Sequence, residues 1–374
     1  MSNTTFNNHF ASSISATLSA IEPVRARLDE LAAAVDLQAK WPTDSIQACV
    51  DGGVLRWFLP EEFGGWNWSD SQILLGYLGL SQSCLTTAFI LTQWHAATRR
   101  ILNSNNLDLR QDIASKLADG SCFVTVGISQ LSTSRQHTAP ALAATPVGKN
   151  NTPEEYILNG YAPWVTGAEI ADELILGATL TDGRQIVAAV PRKADGVTCL
   201  PGMQLVALTS SCTDRVELKQ VRIGSERVVA GPIENVLLTG SGRGGGVGGL
   251  HTSILAVGHS MRVAQFLRDE SVDRSSLRPV ADKMSADVEV LRMYLQRMMA
   301  GQEPISLTEL RRKANSLVLR VTQAALQAAK GAGFIDGHPA GRWAREALFF
   351  LVWSCPQVVV EANLCDLAGI ETPE

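Results

Sequence analysis

The chain has 374 residues, of which 45% are hydrophobic and 18% charged, against roughly 25% charged in an average soluble domain. That excludes a disordered or fibrous protein, provides for about two or three domains with sizeable cores, and hints at outer surface covered by another subunit. The net charge of −5 leaves no electrostatic footprint for nucleic acid, and apolar runs such as 348–353 are too short to span a bilayer, so neither nucleic acid nor membrane is an expected partner.

The N-terminus, MSNTTFNNHFASS, has no basic n-region and no apolar h-region, so a secretory signal is not expected. Ile14 to Val35 carries apolar residues at helical spacing, with Pro23 as a break or restart. Between Val54 and Trp66, Pro60 and Gly64-Gly65 enforce a turn, and Asp70 to Leu102 reads as one or two further helices. From about Ser121 to Pro232 the texture becomes β-branched, with runs at Cys122–Val126, Glu155–Leu158, Glu173–Leu176, Ile186–Val190 and Arg215–Val221. Asn159-Gly160 and Asp182-Gly183 are hairpin dipeptides, so this stretch predicts a compact antiparallel β domain.

After the glycine-rich connector Gly242 to Gly249 the helical pattern returns at Ile254–Arg268, Val280–Met299 and Leu307–Lys330. The third opens on a capping box, Ser306 with Glu309, and closes at Gly331. A fourth runs from about Gly341 to Leu367, interrupted by Pro356. The expected division is therefore a helical part over 1–120, a β domain over 121–236 and a helical bundle over 237–374. Seven cysteines lie scattered without a CxxC pair, which predicts reduced thiols and a cytoplasmic protein. The histidines show no HxxxH or HExxH spacing, so no metal is expected, and no P-loop or Ser/Cys nucleophile motif is present.

Phe58 to Gly65, then Tyr156 to Gly167, Glu217 to Ile223 and Arg342 to Ala347 follow one another in an order that resembles the acyl-CoA dehydrogenase superfamily of flavoproteins. Phe58-Leu-Pro-Glu-Glu-Phe-Gly-Gly65 resembles its N-terminal "hydrophobic, Pro, two residues, aromatic, Gly-Gly" turn. Tyr156-Ile-Leu-Asn-Gly-Tyr-Ala-Pro-Trp-Val-Thr-Gly167 resembles its central "Y-x-L-N-G-x-K-x-W-I-T-N" segment, the most specific piece. Glu217 to Ile223 is similar to the strand closing the family's β domain, and Gly331-Ala-Gly-Phe, Pro339 and Arg342-Trp-Ala-Arg-Glu-Ala347 to its late glycine turn and helix start. The resemblance implies an α+β, acyl-CoA dehydrogenase-like fold: an N-terminal helical domain, a central antiparallel β domain and a C-terminal four-helix bundle.

It also implies FAD, with FMN as the alternative. A flat ring rimmed with hydrogen-bonding atoms wants an aromatic wall beside a hydroxyl, and alternate strand residues share a face, so Trp164 and Thr166 are its expected partners. The other reading of Trp164 is a core tryptophan of the β domain. The family's flavin loop falls on Cys122 to Thr133, where Ser132 is retained and Thr125 and Ser129 are nearby hydroxyls. The usual catalytic glutamate falls on Ser354, which cannot serve as a base. The alternative family position, on the first bundle helix, falls on His251, an imidazole able to take a proton or simply a helix-start residue. A family arginine–phenylalanine–glycine stretch that binds the FAD pyrophosphate is shortened here, so that Arg274 and Arg278 either reach a phosphate or are solvated turn residues. Arg342 and Arg345 either meet a CoA phosphate or brace a helix start.

His95 falls on a helix near the family's active-site cavity, and flavin-dependent monooxygenases of this fold use pocket histidines with reduced flavin from a partner flavin reductase. The implied function is a flavin-dependent oxidoreductase acting on an acyl-CoA or related small substrate. The alternatives are a reduced-flavin monooxygenase or a non-catalytic relative. Assembly as a homodimer or homotetramer is expected by the same resemblance.

Overall fold

The computed structural model describes residues 3–131, 139–148, 154–238 and 250–370, with side chains from residue 17 onward. Helix α1 (Asn3–Gln38) runs unbroken through Pro23, unlike the expected break. Proline removes one hydrogen bond, but Ile21, Val24, Leu28, Ala32 and Val35 bury one continuous face and hold both halves in line. After α2 (Thr43–Asp51) come two 3₁₀ turns, Val54–Phe58 and Glu61–Phe63. A Cβ on Gly65 would lie 1.9 Å from the Leu59 carbonyl oxygen, so the Gly-Gly turn tolerates no side chain there.

The stretch 70–102 is two helices. Ser69 and Gln72 form a capping box at the start of α3 (Asp70–Ser83), and extended Cys84 separates it from α4 (Leu85–Leu102). Helix α4 is buried nearly all round, as a central helix must be, and packs against β1 (Val124–Gly127) beyond the short α5 (Leu107–Ala114).

The remaining strands are β2 (Leu142–Val147), β3 (Glu155–Thr166), β4 (Glu173–Leu180), β5 (Gln185–Pro191), β6 (Val197–Cys199), β7 (Thr213–Gly224) and β8 (Val228–Ile233). They form one sheet in the order β6-β7-β3-β2-β4-β5-β8, with β1 also on β4. Most pairs are antiparallel as expected, but β1 and β2 both run parallel to β4, so the sheet is mixed. Strands β4 and β5 are covered on both faces, which is why they read as unbroken apolar runs. Asp182-Gly183 does turn the β4–β5 hairpin. Asn159-Gly160 does not turn a hairpin: it lies inside β3, where the register with β7 shifts. Gly160 has φ +120°, and a Cβ there would lie 2.1 Å from the Ala141 carbonyl oxygen, so it marks a close backbone approach.

The last part comprises α6 (Leu250–Asp273), α7 (Arg278–Met299), α8 (Leu307–Ala329), α9 (Pro339–Leu348) and α10 (Gln357–Ala368). Helix α6 packs against α3, α7 and α8, which in turn carries α9 and α10. Ser306 caps α8 by accepting from the Glu309 N–H at 3.1 Å, half of the expected box, while the Glu309 carboxylate turns to Arg312 and Lys313. Among the described residues, no helix is long and apolar enough to cross a membrane. All seven cysteines are free.

Candidate active site

Four rings meet where the first helices face the bundle. Phe58 ends a 3₁₀ turn, Tyr77 and His95 come from α3 and α4, and His251 from the first turn of α6. The two imidazole centroids lie 5.6 Å apart, edge to face. His95 lies 4.2 Å from Phe58, and Tyr77 stands 6.0 Å from His95 and 5.8 Å from His251. Tyr77 Oη donates to the Leu91 carbonyl at 3.0 Å, which fixes its ring against α4.

This setting keeps both imidazoles neutral. Burial, then His251 and Arg99, hold His95 well below the usual histidine range. Burial and Arg99 bring His251 down to about 4, with Asp70 pulling the other way. Arg99 follows His95 by four residues on the same helix face and lies 3.9 Å from Asp70. A neutral imidazole offers one donor and one acceptor nitrogen.

The hydroxyls expected around a cofactor form a chain inside the β domain. Thr125 Oγ1 donates to the Thr166 carbonyl at 2.7 Å, and the Thr166 hydroxyl pairs with that of Thr213 at 2.9 Å. Thr213 continues to Ser211 at 2.8 Å. Trp164, two residues before Thr166, is 54% exposed, so it is not a core tryptophan. It offers an uncovered flat face at the end of β3. Ser129 is half-buried in a 3₁₀ turn after β1. Ser132 and the connector 242–249 lie outside the described residues. Arg274 sits at the α6–α7 junction, where one Nη1 donates to Glu270 at 2.8 Å and to the Ala328 carbonyl at 2.7 Å. Its guanidinium therefore ties α6 to the end of α8.

The loop after α9 meets α4 at Phe89. Phe349 and Trp353 stack at 5.0 Å, and both meet Phe89 of α4 edge to face, at 4.9 and 5.2 Å. Phe89 and His95 are six residues apart, about 9 Å along the helix axis. One buried helix thus touches both the histidine pair and the loop that carries Ser354.

No family model matches the chain. A probable acyl-CoA dehydrogenase of Bacillus subtilis (strain 168), YngJ, is 22% identical to it, over 84% of this chain and 86% of the relative. Butyryl-CoA dehydrogenase from Megasphaera elsdenii superposes with a TM-score of 0.79 at 17% identity, over 95% of this chain and 98% of that one. The chain has the acyl-CoA dehydrogenase fold. A nitrososynthase from Micromonospora carbonacea var. africana shares it, with a TM-score of 0.74 at 16% identity over 96% of each chain.

Within this acyl-CoA dehydrogenase fold, sequence reasoning brought out His95 and His251 but missed what surrounds them. Tyr77 and Arg99 were not singled out, and Phe58 only as the start of the Gly-Gly turn; the four-residue spacing from His95 to Arg99 is the one local signal that could have found the arginine. It also missed a second buried pair: His259 Nε2 lies 3.7 Å from the Glu346 carboxylate. Burial pushes Glu346 up to about 7 against the pull of Arg342, and holds His259 down to about 4. Arg345 pairs with both carboxylate oxygens of Asp36, and Arg342 lies 3.9 Å from Glu346, so both brace the start of α9.

Proposed function

We propose that the chain is a flavin-dependent oxidoreductase that works on an acyl-CoA or related small substrate at the His95–His251 face. The observation that carries this reading is the pair of buried, neutral imidazoles set against Tyr77 and Phe58 in an acyl-CoA dehydrogenase fold. The β-domain residues fit a flavin ring. Exposed Trp164 supplies the flat apolar wall, while the Thr125–Thr166–Thr213 chain stiffens the strand end that presents it. FAD is the cofactor of this reading and FMN its alternative, because Arg274 already serves the bundle. A bound flavin would supply the electron or hydride acceptor.

The imidazoles suit orienting a substrate oxygen or amine better than removing a carbon-bound proton. A group with a pKa of about 4 is a weak base at neutral pH, and a proton on it would sit in a dry site near Arg99. This favours the second reading, a reduced-flavin monooxygenase supplied by a flavin reductase, since Ser354 offers no carboxylate in place of the usual base. Anaerobic mixing with FAD and acyl-CoAs distinguishes the two. Prompt bleaching of the flavin supports the dehydrogenase, whereas product formed only with a reductase and O₂ supports the monooxygenase. A protein that binds neither FAD nor FMN, judged by its visible spectrum, is a non-catalytic relative.

The free cysteines suit a reducing, cytoplasmic compartment. We assign the boundaries 1–120, 121–236 and 237–374 to three units, and self-assembly as a homodimer or homotetramer to the bundle's outer face.

A further inference from the structure

Arg311 of α8 has no exposed surface, and among the described residues it makes no ion pair with a carboxylate, although arginines 312, 320 and 345 each do. Its Nη2 donates to the carbonyls of Phe350 at 3.3 Å and Trp353 at 2.9 Å, while Nε and Nη1 reach no oxygen acceptor. The ionisable group that faces the guanidinium is the Cys355 thiol, and the two side chains hydrogen-bond. Asn363 Nδ2, from α10, stands 3.9 Å from the same sulfur. The sulfur thus meets a cationic donor from one helix and a neutral donor from another, on a residue that is only partly buried.

A buried guanidinium without a counter-charge is costly, and this thiol is the group beside it that can become one. Burial brings Arg311 down to about 10, so it keeps its proton at neutral pH. Burial also pushes the Cys355 thiol up, while Arg311 pulls it down. The pull prevails in the pair. Ionising the sulfur places an anion at a partly open position and relieves a cation that burial has already stripped of water. Electropositive, partly exposed surroundings of this kind separate a reactive cysteine from an inert one. Cys49 is the inert kind: it is fully buried, and burial and Cys84 push its thiol up.

We propose that Cys355 and Arg311 form a thiolate–guanidinium pair that makes Cys355 a site of oxidation by hydroperoxides. The sulfur attacks the terminal oxygen of the hydroperoxide; the S–O bond forms as the O–O bond breaks, and the departing hydroxide or alkoxide takes a proton from water. Sulfur is oxidised by two electrons to the sulfenic acid and the peroxide bond is reduced by two; small-molecule thiols reverse the change. Phe349 and Trp353 pack on Phe89, so the oxidised loop lies against the helix that carries His95. The pair needs only this chain's residues and holds with or without a bound flavin.

The test uses the full-length reduced protein and follows each cysteine by peptide mass spectrometry. At about pH 6, iodoacetamide should alkylate Cys355 about tenfold or more faster than Cys365, a partly buried thiol of α10. Hydrogen peroxide with dimedone, which traps sulfenic acids, should mark Cys355 first. In Arg311→Met the advantage should vanish, the Cys355 rate then climbing with pH as the Cys365 rate does. Where that variant fails to fold, Cys355→Ser decides: a thiolate absorbance at neutral pH should be present in the unaltered chain and lost in this variant. Equal alkylation of the two cysteines, an Arg311→Met rate unchanged in size and pH dependence, or no thiolate absorbance that depends on Cys355 would overturn the pair. Prompt alkylation of Cys355 without a dimedone adduct there would overturn its oxidation by hydroperoxides.

Discussion

His95, His251 and His259 are all neutral because burial and nearby arginines disfavour their charged forms, while Glu346 is held towards its protonated form by burial. These shifts act on stability in opposite directions. Between about 4 and the ordinary histidine value of 6.5, the unfolded chain binds protons that the native imidazoles refuse, so stability rises with pH across that window. Glu346 does the reverse: its native proton is retained until about 7 but released near 4.5 when unfolded, so its contribution is full below 4.5 and fades as pH climbs to 7. Three imidazoles outweigh one carboxyl. Urea midpoints should therefore increase from pH 4.5 to about 6.5 and then sag slightly, and Glu346→Gln should abolish the sag; a profile flat over that range would refute the assignment. A second expectation isolates Arg99. Arg99→Met should move the His251 titration, followed by NMR, upward from about 4 towards the ordinary value, without altering the fold. No movement would mean that burial alone sets it.

Elements differ in how much of their geometry is written locally. Ser306 and Glu309 announce the start of α8 because a cap needs only residues three apart, and Ser306→Ala should cost about 1 kcal/mol in chemical denaturation. Asp182-Gly183 likewise turns a hairpin whose two strands are adjacent in the chain. Asn159-Gly160 has the same local chemistry and a different outcome. There the glycine serves the approach of Ala141 and the register shift against β7, partners that no local pattern names. Gly160→Ala should accordingly destabilise by about 3 kcal/mol or more, through both the positive φ and the backbone clash. Thr125→Val removes a buried hydrogen bond to the Thr166 carbonyl and should cost about 1 kcal/mol. On the proposed function it should also weaken flavin binding, read by fluorescence titration.

For the whole molecule, the outer side of α10 is the most conspicuous unpartnered surface. Val358, Leu364 and Leu367 are each about 60% exposed, and Val352, Phe334 and Ile335 project from the loops beside the same bundle. A helix that is apolar on its outer as well as its inner side suits burial in an assembly. On the assembly proposed above, the double variant Leu364→Glu/Leu367→Glu should lower the mass measured by light scattering; a mass equal to that of the unaltered chain would remove α10 from that proposal. At this scale the division between sequence and structure is clearest. The order of helices, strands and bundle, the capped start of α8 and the glycine turn at 64–65 were legible in the sequence itself, because periodicity, caps and turn residues are properties of neighbouring residues, whereas His95, His251 and the role of Trp164 were singled out by the family resemblance. The parallel placement of β1 and β2 on β4, the contact between two histidines far apart in the chain, the hold of Arg274 on α6 and α8, and the pairing of Arg345 with Asp36 were decided only by the tertiary structure. Each depends on which surfaces meet when the core closes, and on where burial withholds water from a charge.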